Sequence, residues 1–247
     1  MKDPVEKTLK GGNMTPVARL GGDVLRESGP WTATVQRLLE HLRAAGVEWC
    51  PEPRGWAADG REALSYLKGK VPAHPLPEWV YDEEVLTTAA TWMRELHDLT
   101  VGFDAPELRW RSPRRQPAEV VCHNDFAPYN MVFKNELLIG VIDWDFAAPG
   151  PRIWDLAYLA YRLGPLVRPS SPDAPGRSID IQRRVRLLLD AYGSDVTVPD
   201  LLRTVIDRLE NLAAMTEGHA RGKKDSKLHS DAVNYGKDAD YLTSLLA

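Results

Sequence analysis

The sequence predicts an α+β fold in two unequal parts, a small strand-rich N-terminal part and a larger, mostly helical C-terminal part. Short apolar runs separated by glycine pairs indicate hairpin strands within the first 67 residues. A segment with three prolines, KGKVPAHPLPEWV at 68–80, is typical of a linker. Apolar residues at helical spacing dominate the remainder. The cleft between two such parts is a natural place for a ligand.

Residues 6–27 are expected to form a strand meander, and two more strands are expected within 52–67. Between them the pattern predicts a helix, with Thr32 as its N-cap and Gly46 at its end. One face of that helix carries an apolar stripe: Val35, Leu38, Leu39 and Leu42.

The C-terminal part is predicted to start with a helix that follows the linker. Its apolar face carries Leu86, Ala90, Met93, Leu96 and Leu99. Residues 118–146 alternate strand-like apolar runs with residues that favour turns. Four further helical patterns follow, at 154–163, 179–192, 199–219 and 228–246.

Composition excludes several classes of partner. The 247 residues carry a net charge of −4, so no basic field favours nucleic acid. No apolar run approaches the roughly 20 residues that a membrane span needs, so we expect no membrane partner. The two cysteines are too few for a disulfide framework. The first ten residues, MKDPVEKTLK, lack an apolar signal segment, and a cytoplasmic location is expected.

The strongest chemical pattern is HNDFAPYN at 123–130, followed by Asp143 at the end of the apolar run LLIGVI. Asp125 and Asn130 lie in a turn-prone segment between apolar runs, where loops present functional side chains. A carboxylate at the end of a buried strand is costly unless a cation compensates it. Mg²⁺ is the natural candidate, because it prefers carboxylate, amide and phosphate oxygens.

These residue types are the ones that phosphoryl transfer requires. One carboxylate orients the acceptor hydroxyl and takes its proton, while an amide and a second carboxylate hold the metal. In protein kinases the corresponding pattern is H-R-D-x-x-x-x-N followed by a separate aspartate. The spacing from His123 through Asp125 to Asn130 reproduces it, and Asp143 follows.

Two segments, VVCHNDFAPYNMVF and GVIDWDFAAPGPRIWDLAYLA, resemble the aminoglycoside phosphotransferase and choline kinase superfamily, whose members have a protein-kinase-like fold. The resemblance implies that Asp125 is the catalytic base and that Asn130 and Asp143 hold Mg²⁺. His123 joins Asp125 as a catalytic-site residue, in a structural or orienting role. Asp155 is implied to be a buried acid that braces the catalytic loop. ATP is the implied phosphoryl donor.

The same resemblance implies three regions: a nucleotide-binding lobe at 1–67, a hinge at 68–80, and a helical catalytic and acceptor-binding lobe at 81–247. The acceptor itself is not readable from the sequence. Residues 177–247, where it is expected to bind, hold 11 acidic and 11 basic residues, which does not favour a cationic substrate.

The candidate nucleotide-binding residues lie in the N-terminal lobe. Arg26 takes the place of the lysine that contacts the nucleotide phosphates in the family. A turn containing Gly12 and Asn13 is suited to cover phosphates with backbone N–H groups. Ser65 and Leu67 lie at the step into the hinge, where the family holds its adenine.

Three functions are consistent with these residues. The first is transfer of the ATP γ-phosphoryl group to a hydroxyl of a small molecule, which the intact acidic and amide residues favour. The second is a non-catalytic binding or toxin-immunity-type protein on the same fold, with which the short N-terminal lobe and its Arg26 are consistent. The third, a protein kinase, is disfavoured because no activation segment is recognisable.

Overall fold

The N-terminal part folds around an antiparallel sheet of five strands in the order β1-β2-β3-β5-β4. The computed structural model describes residues 6–9 and 17–246, so the turn predicted at Gly12 and Asn13 lies outside the described residues. The strands are β1 (Lys7–Leu9), β2 (Val17–Leu20), β3 (Asp23–Arg26), β4 (Pro53–Trp56) and β5 (Glu62–Ser65). The predicted meander and the two later strands are confirmed.

The pairing of β3 with β5 matters most for the site. Leu25 lies opposite Ala63, and Arg26 lies opposite Glu62 at the end of β3. Leu25 and Ala63 are buried, and so are the charged side chains of Arg26 and Glu62. The sheet therefore brings an arginine and a glutamate, 36 residues apart in sequence, side by side in a dry environment.

Helix α1 spans Thr32–Ala44, and its predicted apolar stripe is fully buried. The prediction that Thr32 is the N-cap was wrong, because the helix already includes Thr32 and its cap is Trp31. The turn at Gly29 folds the chain so that the Thr32 hydroxyl accepts a hydrogen bond from the Gly29 N–H at 2.8 Å. Gly46 lies just beyond the helix with a φ of +94°, a conformation that glycine adopts at low cost.

Among the described residues, the C-terminal part contains five α-helices: α2 (Glu83–Leu99), α3 (Arg152–Leu163), α4 (Ile181–Tyr192), α5 (Val198–Lys223) and α6 (Ser226–Leu246). Each corresponds to a predicted helical pattern. Helices α5 and α6 form an antiparallel hairpin, and α5 also packs against α3. Within the residues described, none of the helices combines the length and apolar character that crossing a membrane requires.

Two short ribbons separate α2 from α3. Strand β6 (Val120–Cys122) pairs with β9 (Ala148–Gly150), and β7 (Met131–Lys134) pairs with β8 (Leu137–Val141). Strand β9 was not predicted, because its sequence APG contains two residues that disfavour strands. The ribbons place the loop at 123–130 beside the loop at 142–147.

The proline-containing connection is tied to the second ribbon. Lys70 and Phe133 exchange two backbone hydrogen bonds, both 2.8 Å long. One continuous cluster of buried residues includes side chains of α1, α2, β7, β8 and α3. The fold is thus the expected α+β arrangement, with a small antiparallel sheet at the N-terminal end and a larger helical part after it.

Candidate active site

The loop at 123–130 is held in shape by backbone geometry. Asn124 adopts a left-handed conformation with φ of 64°, and Pro128–Asn130 form one turn of 3-10 helix. The Ile142 N–H donates to the Asn130 carbonyl at 2.8 Å. This bond places Asp143 next to Asn130, although they are 13 positions apart.

Asp155 braces this loop from below. Its two carboxylate oxygens accept hydrogen bonds from the N–H groups of His123, at 2.7 Å, and Asn124, at 2.8 Å. His97 contacts the same carboxylate at 3.3 Å, and Tyr192 holds the other ring nitrogen of His97 at 2.7 Å. Burial opposes the charged form of Asp155, but the hydrogen bond and charge of His97 hold the pKa of Asp155 below its usual range. The loop at 123–130 therefore rests on a buried anion.

Asp125 is half-buried, and both of its oxygens are hydrogen-bonded. Tyr129 Oη donates to Oδ1 at 2.5 Å, and Asn130 Nδ2 donates to Oδ2 at 2.8 Å. Burial raises the pKa of Asp125 to about 6 and the nearby Asp143 adds to the rise, while the two hydrogen bonds oppose it. At neutral pH the group is ionised but close to its midpoint, which suits a general base.

His123 is fully buried behind Asp125. Its Nδ1 accepts a hydrogen bond from the Asp125 N–H at 3.2 Å, and its ring packs against Trp144 with centroids 4.7 Å apart. Burial lowers the pKa of His123 to about 4, so the ring is neutral. A neutral, buried ring that holds the backbone of Asp125 is an orienting group.

Asn130 and Asp143 offer oxygens of the kind that Mg²⁺ prefers. The Asn130 side-chain amide donates to the carbonyl and the carboxylate of Asp125, so its oxygen points elsewhere. Asp143 adopts a left-handed conformation with φ of 62°, and its side chain is 45% exposed. Across the residues described, neither Asn130 Oδ1 nor Asp143 Oδ2 accepts a protein hydrogen bond. The donor set fits a magnesium ion that completes its shell with phosphate and water.

Arg26 lies within a cluster of three carboxylates. Its Nε contacts Glu62 at 2.6 Å, its Nη2 contacts Asp145 at 2.5 Å, and its Nη1 reaches Asp143 at 3.4 Å. Gln36 of α1 donates to the second oxygen of Glu62 at 2.7 Å. Burial opposes the charge of Arg26, but Asp145 and Glu62 keep its pKa above the usual value. Only the longer contact, through Nη1, is with a candidate metal ligand.

The two other nucleotide-site candidates among the described residues, Ser65 and Leu67, contact neighbouring parts of the protein. Ser65 Oγ accepts a hydrogen bond from the Glu52 N–H at 2.8 Å. Leu67 packs so closely on β8 that a Cβ added at Gly140 would lie 2.5 Å from its Cδ1. Arg26 is thus brought to Asp143, whereas Ser65 and Leu67 belong to the connection between the sheet and β8.

Three residues near the site were missed in the sequence. Glu62 carried a signal, since it is an acid that directly precedes the apolar pair Ala63 and Leu64 in a strand. Tyr129 lies inside the recognised motif at a position without an assigned role. Arg208 of α5 donates to the backbone carbonyl of Asn124 and, at 3.4 Å, to its side-chain oxygen. No local pattern marks Arg208, because only the packing of α5 on α3 brings it there.

Sequence comparison finds similarity to a protein family and to an individual protein. The model of the phosphotransferase enzyme family matches residues 72–177. The trifolitoxin immunity protein of Rhizobium leguminosarum bv. trifolii is 37% identical over 197 residues, covering 76% of this chain and 74% of that protein.

Solved structures share the fold at low sequence identity. The gentamicin complex of the aminoglycoside phosphotransferase APH(2")-IIa superposes with a TM-score of 0.63, at 15% identity over 97% of this chain and 94% of that one. A choline/ethanolamine kinase family protein from Mesorhizobium loti gives 0.63, at 17% identity over 97% and 88%. The macrolide 2'-phosphotransferase MphH from Brachybacterium faecium gives 0.60, at 17% identity over 94% and 91%. The chain therefore belongs to the phosphotransferase enzyme family and shares the fold of aminoglycoside phosphotransferases and of a choline/ethanolamine kinase family protein.

Proposed function

We propose that the protein is an ATP- and Mg²⁺-dependent phosphotransferase that moves the γ-phosphoryl group to a hydroxyl of a small molecule in the cytoplasm. The observation that carries the proposal is the convergence of Asp125, Asn130 and Asp143. The carboxylate of Asp125, whose pKa is raised, accepts a hydrogen bond from the side-chain amide of Asn130, and the amide oxygen of Asn130 is left for a metal. In this proposal the first 67 residues bind the nucleotide, and residues 81–247 supply the catalytic and acceptor site.

Each residue then has one task. Asp125 accepts the proton of the acceptor hydroxyl, and His123 holds the Asp125 backbone in place. Asn130 and Asp143 would hold Mg²⁺ through their side-chain oxygens. The bound ion would neutralise the charge that develops on the transferring group. Nη1 of Arg26 is the donor available to a phosphate, because its contact with Asp143 is long at 3.4 Å while Glu62 and Asp145 hold Nε and Nη2.

The acceptor we propose is a neutral or anionic hydroxylated molecule. Two arginines flank the catalytic loop on the acceptor side: Arg208 contacts Asn124, and Arg162 lies 5.3 Å from the Tyr129 ring centroid. The carboxylate of Asp173 that accompanies Arg162 is already paired with it at 2.8 Å. A polycation such as gentamicin, which one structural neighbour binds, would meet repulsion here.

A second function, a binding protein of the toxin-immunity type, is favoured by two observations. A relative, 37% identical over 197 aligned residues, is the trifolitoxin immunity protein. In addition, Arg26 already forms ion pairs with Glu62 and Asp145. Its positive charge is therefore less available to nucleotide phosphates. Such a protein would have little affinity for ATP.

Titration calorimetry with ATP, in the presence and absence of Mg²⁺, separates these functions. For the phosphotransferase we expect ATP to bind tightly only with Mg²⁺. Asn130 and Asp143 alone cannot complete the coordination shell of Mg²⁺, so the ion and the nucleotide should bind together. Asp143→Ala should abolish the gain from Mg²⁺, whereas Asp195→Ala, a change of an exposed aspartate in the turn before α5, should keep it.

Each other outcome has a definite meaning. If wild-type protein does not bind Mg²⁺-ATP, the phosphotransferase proposal fails and the binding-protein function is favoured. If ATP binds and Asp143→Ala keeps the full dependence on Mg²⁺, the ligand assignment is wrong.

A further inference from the structure

The phenol of Tyr129 lies where the acceptor of the proposed reaction has to place its hydroxyl. Its Oη is 2.5 Å from Asp125 Oδ1 and 2.6 Å from the hydroxyl of Tyr158. An ionised carboxylate can only accept, so the Tyr129 proton is directed at Asp125, and Tyr158 donates to Tyr129. Asp125 thus already accepts a hydrogen bond from a hydroxyl group of the protein itself, that of Tyr129.

Tyr129 is also open to reagents from solution. The residue is 38% exposed, whereas Tyr158 is 2% exposed. Of the two phenols in this hydrogen-bonded chain, only Tyr129 combines direct contact with Asp125 and exposure to solvent. It therefore meets the geometric requirements of a phosphoryl acceptor, namely a hydroxyl, a base on its proton and an open face.

The surroundings of Tyr129 are suited to added negative charge. The Arg162 guanidinium lies over its ring, and Arg208 holds the neighbouring loop at Asn124. In the part of the chain that the structure describes, the Nε of each arginine is buried without a hydrogen-bond partner. Two buried guanidinium groups with spare donors are a natural environment for a phosphate ester.

We propose that the protein phosphorylates its own Tyr129 when it holds Mg²⁺-ATP and no external acceptor. Tyr129 Oη attacks the γ-phosphorus, and the new O–P bond forms as the bond to the β-phosphate oxygen breaks. ADP leaves, and the phenolic proton passes to Asp125 Oδ1. This inference rests on the proposed function, because the same base and the same nucleotide are used.

The test is incubation of phosphate-free protein with Mg²⁺-ATP, followed by intact-protein mass spectrometry and peptide mapping. We expect wild-type protein to gain one phosphoryl group on Tyr129, at a rate that does not depend on protein concentration. Tyr129→Phe and Asp125→Asn should both lose the label. Tyr241→Phe, which removes a phenol on α6, should keep it.

Wild-type protein that stays unmodified, or that carries the label on another residue, overturns the proposal. A labelling rate that rises with protein concentration overturns the intramolecular step. Calorimetry with ATP on the same samples distinguishes failure of self-phosphorylation from failure of the proposed phosphotransferase function. Intact Mg²⁺-dependent binding with an unmodified Tyr129 refutes self-phosphorylation alone, whereas loss of binding refutes the phosphotransferase function as well.

Discussion

At the scale of single residues, two carboxyl groups at the loop 123–130 differ in the charges and hydrogen bonds that oppose the effect of burial. Asp125 has few compensating charges, and its pKa rises to about 6. Asp155 is more deeply buried, yet His97 and two backbone N–H groups keep it ionised. One group is therefore poised to take a proton, and the other is a permanent anion that supports the loop.

The raised pKa of Asp125 predicts a pH dependence of turnover. Only the ionised carboxyl can accept a proton, so ADP formation from Mg²⁺-ATP should fall as the pH falls through about 6 and level off above it. Tyr129→Phe removes a hydrogen bond that stabilises the ionised form, so the midpoint should move to higher pH. A steady-state pH profile of both proteins is the measurement. A midpoint that Tyr129→Phe leaves in place would show that the phenol does not affect the base.

The role of Asp155 predicts a loss of stability. Asp155→Asn keeps the size of the side chain but turns an N–H group toward the N–H of His123 or Asn124. Leaving a buried donor without a partner costs about 1–3 kcal/mol. Urea denaturation should show a lower midpoint with an unchanged slope. Asp190→Asn, at an exposed position on α4, serves as the control and should leave the midpoint where it is.

At the scale of secondary-structure elements, the pairing of β3 with β5 creates the cluster around Arg26. Glu62 is fully buried and has hydrogen bonds from both Arg26 and Gln36. Arg111 reaches the far side of the same cluster, where it contacts Asp145 at 3.3 Å. The sheet, helix α1 and the loop after β8 are thus joined through buried charge.

This cluster predicts that a single substitution destabilises the protein more than a double substitution does. Arg26→Met leaves the buried carboxylate of Glu62 without its cation, which should cost about 3–5 kcal/mol. Adding Glu62→Met removes that uncompensated charge, while Asp145 keeps its contact with Arg111, so a large part of the lost stability should return. Urea denaturation of both variants tests this. Equal stability of the single and double variants would mean that the ion pair does not determine the packing at this point.

The same elements show how far the sequence could predict the structure. Helix α2 and the strands β3 and β5 follow from local periodicity and glycine placement, and the HNDFAPYN motif is contiguous. Strand β9 was missed because its APG sequence gives no local signal for a strand. The contact between Arg208 and Asn124 was missed because the two residues are 84 positions apart in sequence. They meet only when α5 packs against α3.

At the scale of the whole molecule, the N-terminal segment and the ribbons meet over a small, tightly packed surface. A Cβ at Gly140 would lie 2.5 Å from Leu67 Cδ1 and 2.9 Å from the Trp49 carbonyl oxygen. Lys70 adds two backbone hydrogen bonds to Phe133 close by. The position of Asp143, at the end of β8, depends on this contact.

Gly140→Ala should therefore destabilise the protein by about 1–3 kcal/mol through overpacking. The matched control is Gly218→Ala in α5, where an added Cβ meets nothing within 4 Å. That change should stabilise the protein by about 0.5–1 kcal/mol, because alanine loses less backbone freedom than glycine in a helix. Thermal unfolding should move the two midpoints in opposite directions. A Gly140→Ala protein as stable as wild type would contradict the close packing.

The central claim is that Asp125 is the base of Mg²⁺-ATP phosphoryl transfer, and one measurement tests it most directly. ADP formation from Mg²⁺-ATP, with and without a panel of hydroxylated metabolites, should be compared between wild type and Asp125→Asn at matched ATP occupancy. We predict that the variant binds ATP as wild type does and turns it over about 10²–10⁴-fold more slowly. Equal rates of ADP formation in the two proteins would contradict the claim.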